Sequence, residues 1–130
     1  MEPVWARLYD AASAVLHPRK VSEWVEAGGV AAAIETPSGK IYTGVCVDGA
    51  CALGICAERN AIFQMLTAGE SEIRRVVAIN RDGKAMPPCG ACRELMTQLM
   101  PTRYREIEVM LDCEKNRVVT LGDLTPAWWI

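Results

Sequence analysis

The sequence has no excess of basic residues: 14 Lys and Arg stand against 16 Asp and Glu, a net charge of −2. Nucleic-acid affinity rests on cations displacing counterions from phosphates, so this balance argues against a nucleic-acid partner. No apolar run approaches the ~20 residues that a membrane-spanning helix needs, so no membrane role is expected. The opening, Met1-Glu2-Pro3-Val4-Trp5, has neither the basic start nor the apolar stretch of a secretory signal, and the expected compartment is cytoplasmic. No repeat, low-complexity tract or linker interrupts the chain, which reads as a single domain over residues 1–130. The one histidine, His17, precedes Pro18 at a helix end, far in sequence from the cysteines. It reads as a helix-end or surface residue, not a metal ligand.

What is present is an ordinary globular balance, 51% hydrophobic and 23% charged. A chain of this length buries roughly two-thirds of its unfolded surface, so its core needs no disulfide or metal staple. Val4, Leu8, Ala11, Ala12 and Val15 fall at helical spacing, and His17-Pro18 ends that run. Val30–Ile34, the turn cluster Thr36-Pro37-Ser38-Gly39-Lys40 and Ile41–Val45 read as a β-hairpin. A helix over Cys56–Thr67, a buried strand over Ile73–Asn80 and a second helix over Cys89–Met100 follow. Two closing strands, Ile107–Leu111 and Arg117–Leu121, precede a last turn near Asp123. Strands alternating with helices in this way predict an α/β sheet covered by helices.

Six cysteines in a reducing compartment are expected to bind metal or do chemistry rather than to form disulfides. Pro88-Cys89-Gly90-Ala91-Cys92 puts two sulfurs within one turn at a helix start, close enough for one Zn²⁺. Alone, that pair suits a redox motif or half of a structural zinc site equally well. Cys56-Ala57-Glu58 at the other helix start points instead to a catalytic zinc: a third sulfur, an open fourth position and a carboxylate beside it. A carboxylate so placed can move a proton from water to a leaving group. His- or Cys-x-Glu followed by Pro-Cys-x-x-Cys is the signature of zinc-dependent nucleobase deaminases. Cys46, Cys51 and Cys113 are expected to be small buried thiols, Cys46 with the alternative of lining the substrate pocket.

Three blocks in order, Tyr42-Thr43-Gly44-Val45, Ile55-Cys56-Ala57-Glu58-Arg59-Asn60-Ala61-Ile62 and Pro88-Cys89-Gly90-Ala91-Cys92-Arg93, resemble the cytidine deaminase family, including its blasticidin S deaminase branch. The resemblance implies a three-layer α/β/α fold with a mixed five-stranded sheet. It implies one Zn²⁺ per chain on Cys56, Cys89 and Cys92, Glu58 as proton shuttle and the Ala57 amide holding the substrate ring. Arg59, with help from Arg93, would offset the charge of three thiolates. The three-cysteine class that this chain resembles is a compact homotetramer. The reaction so implied is hydrolytic loss of an amino group from a small heterocycle, as ammonia; the rival readings are ordinary cytidine salvage and a non-catalytic zinc module used for assembly.

Two departures fall where the family holds its nucleoside. Cys46-Val47-Asp48 stands in place of Asn-x-Glu, so Cys46 and Asp48 become the candidate ribose-side residues. Gly28 and Gly29 stand where the family has Phe-Pro, which removes a stacking face; Trp24 and Trp128 are the aromatics that could replace it. Trp128 and Trp129, large apolar groups near the chain end, read either as a cap on a substrate site or as packing.

Overall fold

The computed structural model describes residues 1–130. Its elements in chain order are α1 (Pro3–Val15), β1 (Arg19–Lys20), β2 (Glu26–Glu35), β3 (Ile41–Asp48), α2 (Ala57–Thr67), β4 (Arg75–Ile79), α3 (Gly90–Leu99), a 3₁₀ turn (Tyr104–Glu106), β5 (Glu108–Asp112), β6 (Arg117–Thr120) and α4 (Leu121–Leu124). The sheet runs β3-β2-β4-β5-β6, with β1 beside the start of β2. Only β4 and β5 are parallel, so the sheet is mixed. Six strands replace the expected five because Arg19–Lys20 pairs with Glu26 and Ala27. Two exposed charged residues carry no alternation that would announce a strand.

Period-two alternation divides the core between the two faces. Ala31, Ala33, Val77, Ile79 and Met110 meet Trp5, Leu8 and Ala12 of α1. Ile34, Val76 and Val109 meet Ala61, Ile62 and Met65 of α2 and Cys92 and Met96 of α3. Each fully buried side chain such as Ile62 or Met96 contributes about 1.5–3 kcal/mol. The sheet therefore carries α1 on one face and the two cysteine-bearing helices on the other, the expected three layers.

β2 begins four residues before the expected start, because a bulge between Ala27 and Ala31 hides its register. Gly28 makes the bulge possible. Its φ is +81°, and a Cβ there would lie 2.0 Å from the His17 carbonyl oxygen. At the opposite end of β2, buried Glu35 accepts from Arg7 of α1 at 3.0 Å and pairs with Arg75 of β4. This clasp fastens α1 to the sheet at the far end from the cysteines.

Candidate active site

Both cysteine helices begin at the same end of the sheet. Cys56 and Cys89 are the N-caps, in extended conformation, and neither caps its helix with a side-chain bond. The first-turn amides of Ala91 and Cys92 lie close enough to the Cys89 sulfur to favour its thiolate. Pro87 and Pro88 force the extended approach to α3. Gly44 lets α2 lie directly on β3, since a Cβ there would meet Ala61 N at 2.4 Å.

This packing brings three sulfurs together from positions 33 residues apart in the chain. Cys56 Sγ lies 3.4 Å from Cys89 Sγ, Cys89 Sγ lies 3.4 Å from Cys92 Sγ, and all three fall within 4.8 Å of one another. Thiolates about 2.3 Å from a tetrahedral zinc sit about 3.8 Å apart, which these spacings bracket. They are too long for a disulfide, whose sulfurs lie about 2.05 Å apart.

The electrostatics also fit a cation. Burial pushes the Cys92 thiol far up, and the nearby Glu58 carboxylate adds to the shift. Burial opposes ionisation of Cys89 as well, but donation from the Cys92 and Ala91 amides and the neighbouring thiols outweighs it and lowers that pKa. Glu58, only 6% exposed, is raised by burial despite its own amide and Arg59. Arg59 is the one cation on the sulfurs, with Nη2 3.2 Å from Cys56 Sγ. A divalent ion among the three sulfurs would favour the thiolate that burial opposes at Cys92.

Cys56, Ala57, Glu58 and Cys89 line a small, mainly apolar pocket, closed by Val30, Cys46, Ala78, Met86 and Pro87. Cys46 and Cys56 also border an open groove that holds Asp48 and Arg59. A half-open apolar slot beside a metal-fitting sulfur cluster, with a wetter groove leading away, suits a planar ring carrying a polar substituent.

Residues 11–106 match the family described as the cytidine and deoxycytidylate deaminase zinc-binding region. The chain belongs to the cytidine and deoxycytidylate deaminase family. It is 33% identical over 73 residues to a cytidine deaminase from Halalkalibacterium halodurans, covering 55% of each chain. Over 89 residues it is 30% identical to a blasticidin-S deaminase from Bacillus cereus, covering 62% of this chain and 64% of that one. These matches span 55% and 64% of the two curated relatives' lengths, less than two thirds of either. The crystal structure of a cytidine deaminase from Burkholderia pseudomallei has a TM-score of 0.75 and 32% identity, covering 95% of this chain and 98% of that one. Zinc is the ion that this deaminase-family site fits.

The structure places most of the residues singled out in the sequence in this deaminase-family pocket or its groove. Cys56, Cys89, Cys92, Glu58, Ala57 and Arg59 converge; Cys46 lies on the wall between pocket and groove, and Asp48 lies in the groove. Arg93 does not assist the thiols. It donates to the Pro88 and Leu124 carbonyls, both at 2.9 Å, because its side chain turns back along α3 toward α4. None of Cys46, Cys51 and Cys113 is fully buried, against expectation, and Cys51 is exposed in a turn at φ +59°. Trp24 is 71% exposed and lines no wall of the pocket. The tail lies along α3: Trp128 Nε1 donates to Thr97 and Trp129 Nε1 to Glu94. Val30, Ala78 and Met86 are pocket walls with no chemical signature in sequence; only their closeness to the motifs could have flagged them.

Arg59 allows a direct test of charge compensation. Arg59→Gln removes the only cation on the sulfurs, so zinc should leave faster to a chelator, by about tenfold for one charge-assisted bond. Metal-release kinetics check this; unchanged kinetics would leave Arg59 as an ordinary helix residue.

Proposed function

We propose that the chain is a zinc-dependent hydrolase that removes an exocyclic amino group from a small pyrimidine-like heterocycle and releases ammonia. The observation that carries this is Glu58. It is a buried carboxyl with raised proton affinity, set in an apolar pocket two residues from a sulfur that fits a metal. When bound to Cys56, Cys89 and Cys92, zinc supplies the Lewis acidity that activates water. Glu58, holding its proton, gives it to the ring nitrogen beside the amine-bearing carbon. The same carboxylate then takes a proton from the water consumed and passes it to the departing amine, and the second water proton returns to Glu58 as the carbonyl forms. One C–O bond forms, one C–N bond breaks, and ammonia leaves. The free Ala57 amide at the start of α2 holds the ring, and the apolar walls exclude bulk water.

Unmodified cytidine is not the preferred substrate in this reading. Cys46 stands where the family places an amide side chain, and its sulfur already receives the Val30 amide at 3.2 Å. A ribose hydroxyl left without a partner there costs about 1–3 kcal/mol. A modified nucleoside or other amino-heterocycle fits better. An ammonia-release screen over free bases, nucleosides, nucleoside antibiotics and other aminated heterocycles, with zinc content measured in parallel, tests both parts. Ammonia from none of them, with zinc bound, would leave a non-catalytic zinc module. A cytidine kcat/KM of ~10⁴ M⁻¹s⁻¹ or more would overturn the preference.

We also propose a homotetramer working in the cytoplasm. Phe63 and Leu66 leave α2 with an exposed apolar stripe suited to burial against another copy, and six free cysteines suit a reducing compartment. No helix is long and apolar enough to cross a membrane.

A further inference from the structure

Arg93 follows Cys92 directly in sequence, yet its side chain bonds to two backbone carbonyls and to no sulfur. It is half-buried and belongs to none of the protein's ion pairs. A guanidinium placed in this way is used for its rigid fork rather than for its charge. Nε donates to the Pro88 carbonyl and Nη1 to the Leu124 carbonyl, each at 2.9 Å. Neither acceptor has a partner within a helix. Pro88 is buried and lies just before the N-cap of α3, outside that helix's own ladder. Leu124 is the last residue of α4, where carbonyls are left over.

The grip falls where the sulfur cluster has least support. Cys92 packs in the core and Cys56 packs against it, whereas Cys89 is exposed and belongs to no core cluster. The Arg93 amide donates to the Cys89 carbonyl at 3.0 Å. One residue thus holds the carbonyls on both sides of Cys89. The segment after α4 is moored to the same stretch of α3. Trp129 Nε1 donates to Glu94 at 2.7 Å, Trp128 Nε1 to Thr97 at 3.2 Å, and the Tyr104 hydroxyl to the Ile130 carbonyl at 3.1 Å. Thr97 and Tyr104 are fully buried. Arg93 is the mooring that also reaches the peptide leading into Cys89.

We propose that Arg93 is a positioning residue for the metal site: by gripping the Pro88 and Leu124 carbonyls together, it locks the peptide that carries Cys89 to the segment Leu124–Ile130, so that this segment and the zinc hold each other in place. Arg93 acts through the backbone and not on the thiolates. Groups that orient a metal ligand from outside tune how tightly the metal is kept. The inference rests on the zinc site of the reading above and not on its substrate.

The test compares the wild type with Arg93→Gln, Arg93→Lys and Arg117→Gln, a surface control on β6. Both Arg93 variants should lose zinc to a chelator about tenfold faster or more, the scale of losing an outer partner of a ligand. Cobalt(II) bound in place of zinc should show altered d–d bands in both, because those bands follow the geometry of the sulfurs. Lysine keeps the charge without the fork, so it should restore neither readout. Arg117→Gln should match the wild type. Coupling is reciprocal, so zinc should slow amide hydrogen exchange across Leu121–Ile130 in the wild type but not in Arg93→Gln. Wild-type zinc release from Arg93→Lys would assign the effect to charge and overturn the positioning role. Wild-type cobalt bands in Arg93→Gln, with an equal drop in melting temperature for its metal-free and zinc-loaded forms, would mark a purely structural bond and also overturn it. If the variants do not fold, the wild type decides: exchange across Leu121–Ile130 that is equal with and without zinc overturns the coupling. None of these readouts is turnover. Their failure leaves the deaminase standing, and a zinc-loaded protein that releases no ammonia overturns the deaminase alone.

Discussion

Glu58→Gln should lower the rate of ammonia release by at least ~10² while zinc content stays at the wild-type level. Gln keeps the length and planarity of the side chain, and Glu58 lies in a wall of the pocket instead of bonding to another side chain. Its burial makes the neutral amide no less stable than the carboxyl in place, so the thermal unfolding curve should be preserved. What disappears is the group that accepts and returns a proton within the apolar pocket. The measurement is single-turnover ammonia release on the best substrate from the screen, with metal analysis on the same sample. A near-normal rate would remove Glu58 from the chemistry.

Cys92→Ala should be the most disruptive single change to the metal. Cys92 is fully buried, packs in the core with Met96 and Ile62, and is one of the three sulfurs. With two sulfurs left, zinc retained through gel filtration should fall to less than ~0.1 per chain. A metal that binds the folded chain stabilises it by mass action, about 4 kcal/mol at a thousandfold excess over Kd. Chelation should therefore lower the melting temperature of the wild type by roughly ten degrees. Cys92→Ala should melt at the same temperature with or without chelator. A full zinc complement in the variant would assign the metal to other ligands.

The chemistry was more legible in the sequence than the surface that selects a substrate, and the reason is physical. Cys56, Glu58, Cys89 and Cys92 act through short spacings at two helix starts, and helix geometry turns such spacings directly into proximity. Apolar runs bounded by turn clusters likewise marked the long strands, though not which of their residues face which layer. By contrast, β1 has two residues and no period, and the bulge at Gly28 breaks the period of β2. Arg81 reaches Gly29 only because β4 ends where the bulge begins, a coincidence of register with no trace in local sequence. Arg93 failed for a related reason. Its place beside Cys92 says nothing of the Leu124 carbonyl that it meets 31 residues later.

The Glu35 clasp and the Gly28 bulge occupy opposite ends of the same strand, and this separation bears on how such a protein diversifies. Gly28 apart, residues at the bulged end can change without touching the ion pairs or the apolar layers that hold the fold. Most mutations are tolerated only within a narrow stability margin. A lineage built this way can change the wall of its pocket with little penalty in folding. Variation among relatives should therefore concentrate around positions 29, 46–48 and 80–81, and be sparse at Gly28, Glu35, Arg75 and the three clustered cysteines.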